Sequence, residues 1–576
     1  MLLVKKVERP RELKWYQAGA MLYGDWGTSK AYVLGIAFAL SGHASWFLLG
    51  LMSALTALVG FSYMVICHIY PDGGGVYSSV KHRSQLLAVI GALLLVADYV
   101  VTASLSALDA FHYFSFPHPE LWAMGAIFAI GAINWVGPSK GGTIAAYIAV
   151  AASLTAGILF ASTLPHLPHV QLSMPTGGLT HNWPVFVGIV LALSGVEAIA
   201  NMTGIMVEPV EKTSKKAILP VLLEVSLLTF LLGIAMNAIP GLGRDEHTED
   251  MLRVLANHYI GPWYGQIISV VFGFLLLSAV NTSIADLVSI QFLLARDKEL
   301  PNIFGRLNRF GMPALALIIA TGVPIIVLMI QHDVVGLAAL YAIGVVGAIT
   351  LNLGTCATNF SLELKLHERA LLLIASVILL AVEITICFQK HQALLFAASV
   401  LTAGLILRFA AKRIALVPTE IEVPSVNVLT VVEAKEIAPL YHCSFLVALR
   451  SMNTSLLEEA ALRAKALGEN TVYLNYIEEV PSSTELPKEA EPSAYSLSLL
   501  SQASQEFENR GITAVPVWQM GDNPGKLIAR AAKELEVNTV MIGASKRSAL
   551  VSLLRGDVLR SLSHNLPRNC HLVITS

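Results

Sequence analysis

The chain has 576 residues, a net charge of −2, 55% hydrophobic residues, only 14% charged residues and a mean hydropathy of +0.65. That balance excludes a single water-soluble globule and points to a polytopic membrane protein with a soluble appendage. Without a basic excess, nucleic acid is not an expected partner. The five cysteines (Cys67, Cys356, Cys387, Cys443 and Cys570) lie too far apart to suggest a zinc site or a disulfide framework.

A basic flank (Lys5, Lys6, Arg9, Arg11, Lys14) precedes an apolar stretch too long and too polar at its centre for a cleaved signal, so it reads as a retained cytoplasmic segment. Twelve apolar spans follow, near 15–41, 46–70, 85–113, 119–137, 143–163, 183–206, 217–239, 263–293, 313–331, 334–360, 369–388 and 392–411. Each approaches the ~20 residues that a bilayer requires. With the N-terminus inside, twenty lysines and arginines fall in the inner loops and flanks, and only Arg244, Arg253 and Lys390 fall outside. This asymmetry predicts an integral protein of the cytoplasmic (inner) membrane with both termini cytoplasmic.

The first span contains YGDWGTSKAY (23–32), with Gly24 and Gly27 flanking Asp25 and with Lys30 nearby. A charge at membrane depth costs about 2.5–3.5 kcal/mol on insertion scales, so such polarity signals a site. The glycines predict an unwound helix whose backbone lines a cavity. The sixth span repeats the pattern in LALSGVEAIAN, with Ser194, Gly195 and Glu197. Interrupted helices in spans one and six are corresponding members of two oppositely oriented five-span halves, which predicts a solute site between them.

Span three carries Asp98, Tyr99, Thr102 and Ser106, the last three on one helix face; Asp98 reads as structural or gating. Span eight carries Asn281, Thr282, Ser283 and Asp286, of which Asn281 and Thr282 are either site lining or interhelical contacts. His166, His169 and His181 read as solvated loop residues rather than a metal site, and the acidic loop with Asp245, Glu246, Glu249 and Asp250 reads as a solvated face. No nucleophile–base constellation or metal cluster suggests an enzyme.

Three parts are expected: a transporter domain (1–413), an extended connector (414–440, with IEVPSVNVLTVV) and an α/β domain (441–576). In the last part, SFLVAL, TVYLNYI, TAVPVW, NTVMIG and HLVIT alternate with helical patterns, which predicts a parallel sheet covered by helices. The Pro-, Glu- and Ser-rich loop 481–492 reads as mobile.

The motifs YPDGGGVYSSVK (70–81), GVEAIAN (195–201), LARDKELPNIFGRLNRFGMP (294–313) and LYAIGV (340–345) resemble the amino acid–polyamine–organocation superfamily. That resemblance implies the LeuT-like 5+5 inverted-repeat fold, an all-α membrane domain. GDWGTSKAY resembles the GDIGTSPLY signature of Kup potassium importers, and DYVVTASLS (98–106) with SGVEAIAN resembles KimA-type potassium importers. Carried onto matching positions, the resemblance implies a cation site built from Asp25, Tyr32, Tyr99, Thr102, Ser106, Ser194 and Glu197. Lys30 departs from both patterns, and Ser194 stands where KimA relatives can have threonine. Residues 440–576 resemble universal stress protein domains, which implies an adenine nucleotide at Gly543, Lys546 and Gly556, or a cyclic dinucleotide by the KimA likeness. Asp557 would repel a phosphate there, and Arg450 replaces the family's aspartate at the end of the first strand. The same resemblance implies a homodimer.

Proton-coupled potassium uptake is the expected function, with Asp25 and Glu197 offsetting the cost of dehydrating the ion and Glu197 able to carry the coupled proton. Two alternatives stay open: an amino acid or amine permease of the same superfamily, and a nucleotide-sensing membrane protein. Lys30 is either a snorkelling or Asp25-paired lysine, or a tethered cation that couples transport to its own deprotonation.

Overall fold

The computed structural model describes residues 5–6, 11, 13–137, 141–170, 172–244, 247–308, 310–415, 427–438, 443–480, 489–490, 492–544 and 557–575. A two-residue strand, β1 (Lys5–Lys6), precedes α1 (Trp15–Trp26), α2 (Ser29–Ser41) and α3 (Ser45–Ile69). Next come the short α4 (Val76–Lys81), then α5 (Gln85–Tyr113), α6 (Pro119–Val136), α7 (Gly141–Thr163), α8 (Gly178–Gly188) and the one-turn α9 (Ala198–Asn201). The membrane part closes with α10 (Val210–Met236), α11 (Met251–Tyr259), α12 (Pro262–Arg296), α13 (Ala314–Ile330), α14 (Val334–Thr358), α15 (Leu366–Gln389) and α16 (His391–Ala415).

Among the described residues, nine helical stretches are long and apolar enough to cross a membrane, or ten with the bent pair Gly178–Gly188 and Val190–Ile205. The first stretch, Trp15–Ile69, has 55 residues. At 1.5 Å per residue it would reach about 80 Å, far beyond the ~30 Å hydrocarbon layer. A short 3₁₀ segment at Gly42–Ala44, opened by Gly42 with φ +54°, interrupts it between α2 and α3, and by length it is counted as two crossings. Twelve crossings, the expected number, are reached only by counting this stretch twice and adding the bent pair and the 17-residue α13.

The two helix breaks differ from each other. The first lies at Gly27–Thr28, and Gly24 sits inside α1 rather than in an unwound segment. Gly27 and Thr28 keep right-handed helical dihedrals because the Asp25 carbonyl is doubly engaged, by the Thr28 N–H at 3.1 Å and the Thr28 hydroxyl at 2.5 Å. The bond tightens the chain there instead of opening it. The second break is the unwound one. After a 3₁₀ turn (Val190–Leu193), Ser194 is extended and Gly195 takes φ +95°, and the halves meet at 52°. The sixth span, expected to be interrupted, is thus α-helical to Gly188 and resumes only as the single turn α9.

In lipid, helices gain little from hydrophobic association and pack through small residues. A Cβ on Gly344 of α14 would lie 2.7 Å from the Asp98 nitrogen, so α5 and α14 touch backbone to backbone. Toward the α/β domain, ion pairs tie the ends of the crossings together. Arg11 bonds Asp72 at 2.5 Å, Glu208 at 3.2 Å and the Pro71 and Thr203 carbonyls. Lys81, Arg296 and the Tyr77 hydroxyl converge on Asp297. Burial opposes ionisation of Asp297, but Arg296 and the bonds from Lys81 and Tyr77 outweigh it and hold the carboxyl below its usual range. Arg408 and Lys412 meet the buried Glu299.

The α/β domain begins earlier than expected. Leu429 bridges to Val517, and α17 (Val431–Ile437) starts at Thr430, whose hydroxyl accepts from the Glu433 N–H in a capping box. The expected extended connector therefore ends at Thr430, and Val428 and Val431 already belong to the domain's cores. Then follow β2 (Phe445–Leu449), α18 (Thr454–Ala466), β3 (Thr471–Glu479), β4 (Glu489–Ala490), α19 (Ala494–Glu508), β5 (Thr513–Gly521), α20 (Pro524–Glu534), β6 (Thr539–Gly543), α21 (Val558–Asn565) and β7 (His571–Thr575). The sheet is parallel, in the order β5-β3-β2-β6-β7, and carries a core on each face. Within the stretch expected to be mobile, Glu489–Ala490 pairs antiparallel with β1; 481–488 and 491 lie outside the described residues. One of the two cores takes in Phe292 from α12, which joins the membrane and α/β parts.

Candidate cation site

Both breaks meet at mid-membrane. A Cβ on Gly195 would lie 2.6 Å from the Trp26 nitrogen and 3.1 Å from the Asp25 carbonyl carbon, so the sixth crossing touches the backbone beside the first break. The unwound turn also folds Glu197 back, and its carboxylate accepts the Gly195 N–H at 3.1 Å. Asp25 and Glu197 are 3% and 4% exposed.

Two further carboxylates join them. Asp98, fully buried on α5, is within electrostatic reach of Glu197, Asp25 and Asp286, and Asp286 of α12 is within reach of Asp25. Asp98, read from the sequence as structural or gating, thus lies with this cluster. Sequence reading noted Asp286 and gave it no role, since a carboxylate near the end of a long helix could equally face a loop.

Of the other expected residues, Tyr32, Tyr99, Thr102 and Ser194 gather here, and Ser106 is placed only by its position on α5. Tyr32 is buried and within reach of Asp25, with Ser29 and Thr28 beside its hydroxyl. Tyr99 faces all four carboxylates, and its hydroxyl accepts a long bond from Asn201 at 3.4 Å. Thr102 donates to the Asp98 carbonyl at 2.9 Å and lies 3.4 Å from its carboxylate. Ser106 is buried one turn beyond Thr102, and Ser194 adjoins Gly195 with its hydroxyl oxygen unpartnered. Tyr341 on α14 was missed. Its buried hydroxyl has no partner among the described residues, and it lies within reach of Asp98, Tyr32, Asp25 and Glu197. Its only signal was a tyrosine within an apolar, small-residue helix. Asn281, by contrast, bonds Asn134 at 2.8 Å and is an interhelical contact, while Thr282 bonds back to Ser278.

Lys30 does not pair with Asp25. Its ammonium lies 2.9 and 3.1 Å from the carboxylate of Glu224 on α10, 3.1 Å from the Tyr23 hydroxyl, 3.2 Å from the Gly27 carbonyl and 4.8 Å from the centre of the Tyr23 ring. Tyr23 in turn donates to Glu224 at 2.8 Å. Glu224 could have been found in LPVLLEVSLL, because a lone mid-membrane glutamate and a lone mid-membrane lysine call for each other. The remaining carboxylates thus form a one-sign cluster with unpartnered oxygens at Asp98 Oδ2, Ser194 and Tyr341. Those oxygens and charges suit a dehydrated cation.

A cavity of about 2290 Å³ lies between the membrane-helix ends nearest the α/β domain and the strand ends of the α/β sheet. Lys81, Arg296, Lys298 and Arg306 line one wall, and Arg450, Tyr476 and Gly543 the other. Gly543 is the one expected nucleotide-loop residue that can be placed; Lys546 and Gly556 lie outside the described residues. Asp557 caps α21 by accepting the Leu559 N–H.

Residues 13–417 match the amino acid permease family, and the chain belongs to it. Residues 445–573 match the universal stress protein family, in agreement with the parallel sheet. Among individual proteins, the chain is similar to the potassium transporter KimA of Bacillus subtilis (strain 168), with 26% identity over 380 residues. The match covers 59% of this chain and 60% of that relative, so less than two thirds of the relative's length is spanned.

Proposed function

We propose that this permease-family transporter takes up potassium, coupled to protons, through the site between the two helix breaks. The observation that carries the reading is the cluster of the buried Asp25, Asp98 and Glu197 with the half-buried Asp286, which among the described residues has no basic partner, Lys30 being bound to Glu224. Four carboxyl groups at membrane depth cannot all be ionised without a compensating cation. The neighbouring hydroxyls can replace its water.

An amino acid substrate would need exposed amides at the break to hold its carboxylate. The amide best placed for this, Gly195 N–H, is already bonded to Glu197, and Asp25 stands beside it. Anion binding is thereby pre-empted. The printed function of the KimA relative points the same way. In this reading both termini are cytoplasmic, Glu197 exchanges the coupled proton, and the α/β domain regulates uptake as a homodimer, with a nucleotide in the basic interdomain cavity.

The test is uptake into liposomes, with labelled rubidium set against a panel of labelled amino acids. Rubidium uptake that disappears in Asp25→Asn is expected. Transport of leucine or alanine with rubidium ignored would overturn the potassium reading.

A further inference from the structure

Far from the central cluster, another carboxylate is buried without support. Asp109 on α5 is 0% exposed, and neither of its side-chain oxygens has a hydrogen-bond partner among the described residues. It lies eleven residues beyond Asp98, three helical turns or about 16 Å along the same face of α5. This places it toward the end opposite the α/β domain. Tyr32 stands between the two levels, within electrostatic reach of both Asp25 and Asp109. The Tyr113 hydroxyl donates to the Ala31 carbonyl at 2.9 Å and so fastens the outer end of α5 to α2 beside Tyr32.

Among the described residues, the surroundings of Asp109 contain no compensating cation. From the segment leading into α11, Glu249 and Asp250 reach it; from α2, Tyr32; from α5 itself, Tyr113. Arg253 is engaged by Asp250 and Ser115, His112 by Glu249 at 2.7 Å, and His247 by Asp250 at 3.0 Å. Among the described residues, no titratable group on the other helices packed along α5 is in reach of Asp109. A buried carboxylate with no hydrogen bond and only acidic neighbours is expensive as an anion, whereas the protonated acid is tolerated.

We propose that Asp109 is the outer proton-binding residue of the transport cycle, delivering its proton through the Tyr32 hydroxyl to Asp25. Among the described residues Asp109 makes no hydrogen bond, so the transfer follows a side-chain rotation that brings its O–H onto the Tyr32 oxygen; the Asp109 O–H bond then breaks as its proton passes to that oxygen, and the phenolic proton of Tyr32 passes to an Asp25 oxygen. One proton has then moved, Tyr32 is unchanged, and the Asp109 carboxylate is reprotonated from the Glu249 and His112 side. The proposal rests on the proton-coupled reading of the central site and extends it by naming the entry route.

The test uses the full chain in liposomes. The variant Asp109→Asn keeps the shape of the protonated acid, and Asp109→Glu restores a titratable group. In Asp109→Asn, rubidium/rubidium exchange should persist, while accumulation driven by an inward proton gradient and its dependence on external pH are lost; Asp109→Glu should recover both. Gradient-driven accumulation with the wild-type pH profile in Asp109→Asn would overturn the proposal, and so would loss of exchange together with accumulation. Infrared spectroscopy supplies a reading that needs no substrate: the C=O absorption of buried protonated acids should lose one component in Asp109→Asn relative to the wild type, while the contribution of the central cluster stays. If the wild type moves no rubidium, the potassium reading falls by itself; an unchanged acid band in Asp109→Asn would separately reject Asp109 as the proton holder.

Discussion

Two groups of buried charge lie within a few turns of each other in the first crossing, and they are built on opposite plans. Around Lys30, every charge has its complement: the ammonium faces both oxygens of Glu224, and Tyr23 donates a hydroxyl to the glutamate and presents its ring to the lysine. Around Asp25, all four charged groups carry one sign, and Asp98 Oδ2, the Ser194 hydroxyl and the Tyr341 hydroxyl have no partner. A satisfied pair is a strut between helices. An unsatisfied one-sign cluster is a seat for something that comes and goes.

The sharpest way to break this contrast is to neutralise one member of each group. Glu224→Gln leaves the fully buried ammonium of Lys30 uncompensated, and breaking a buried pair from one side costs about 3–5 kcal/mol. Thermal unfolding in detergent should show this as a large drop in midpoint. Replacing both partners, as Lys30→Met with Glu224→Leu, should recover most of it. Asp25→Asn should do the reverse, sparing or raising the unfolding temperature by removing one of several like charges while ending uptake. If Asp25→Asn destabilises as much as Glu224→Gln, the cluster is part of the scaffold.

How much of this could be read from the sequence follows from the same physics. The lone carboxylates Asp25 and Glu197, the glycine-containing breaks and the alternation of strands and helices were legible because each is a local violation of a local pattern. The glutamate that pairs with Lys30 left a mark in LPVLLEVSLL, but the choice of Glu224 over the nearby Asp25 was not legible, because Glu224 is 194 positions away and only the packing of α10 on α1 and α2 brings it near. Tyr341 and the inward orientation of Asp98 depend likewise on the close approach of α14 at Gly344. The two breaks looked equivalent as sequence, yet only the one at Gly195 is unwound.

That inequality gives a second test, of intermediate size. Gly195→Ala would impose a side chain at φ +95° and drive its Cβ to within 2.6 Å of the Trp26 nitrogen. The conformation costs about 1–2 kcal/mol and the overpacking about 1–3 kcal/mol. Gly24→Ala meets only the Ser278 hydroxyl, at 3.8 Å, within a regular helix, and should change stability by no more than ~1 kcal/mol, in the favourable direction. Equal melting losses in the two variants would mean that the breaks are alike after all.

The smallest expected effect examines the seat one oxygen at a time. Tyr341→Phe removes a buried hydroxyl that bonds nothing in the protein, so the fold loses no hydrogen bond and the melting temperature should hold. If that hydroxyl helps to replace the water of a bound cation, its removal weakens an interaction with a full charge by about 1.5–3 kcal/mol, more than tenfold in affinity. A rise of that size in the rubidium concentration needed for half-maximal uptake, with stability unchanged, separates a ligand from a packing residue. Lost stability with unchanged affinity would instead place Tyr341 with Tyr23, among the residues that hold the helices together.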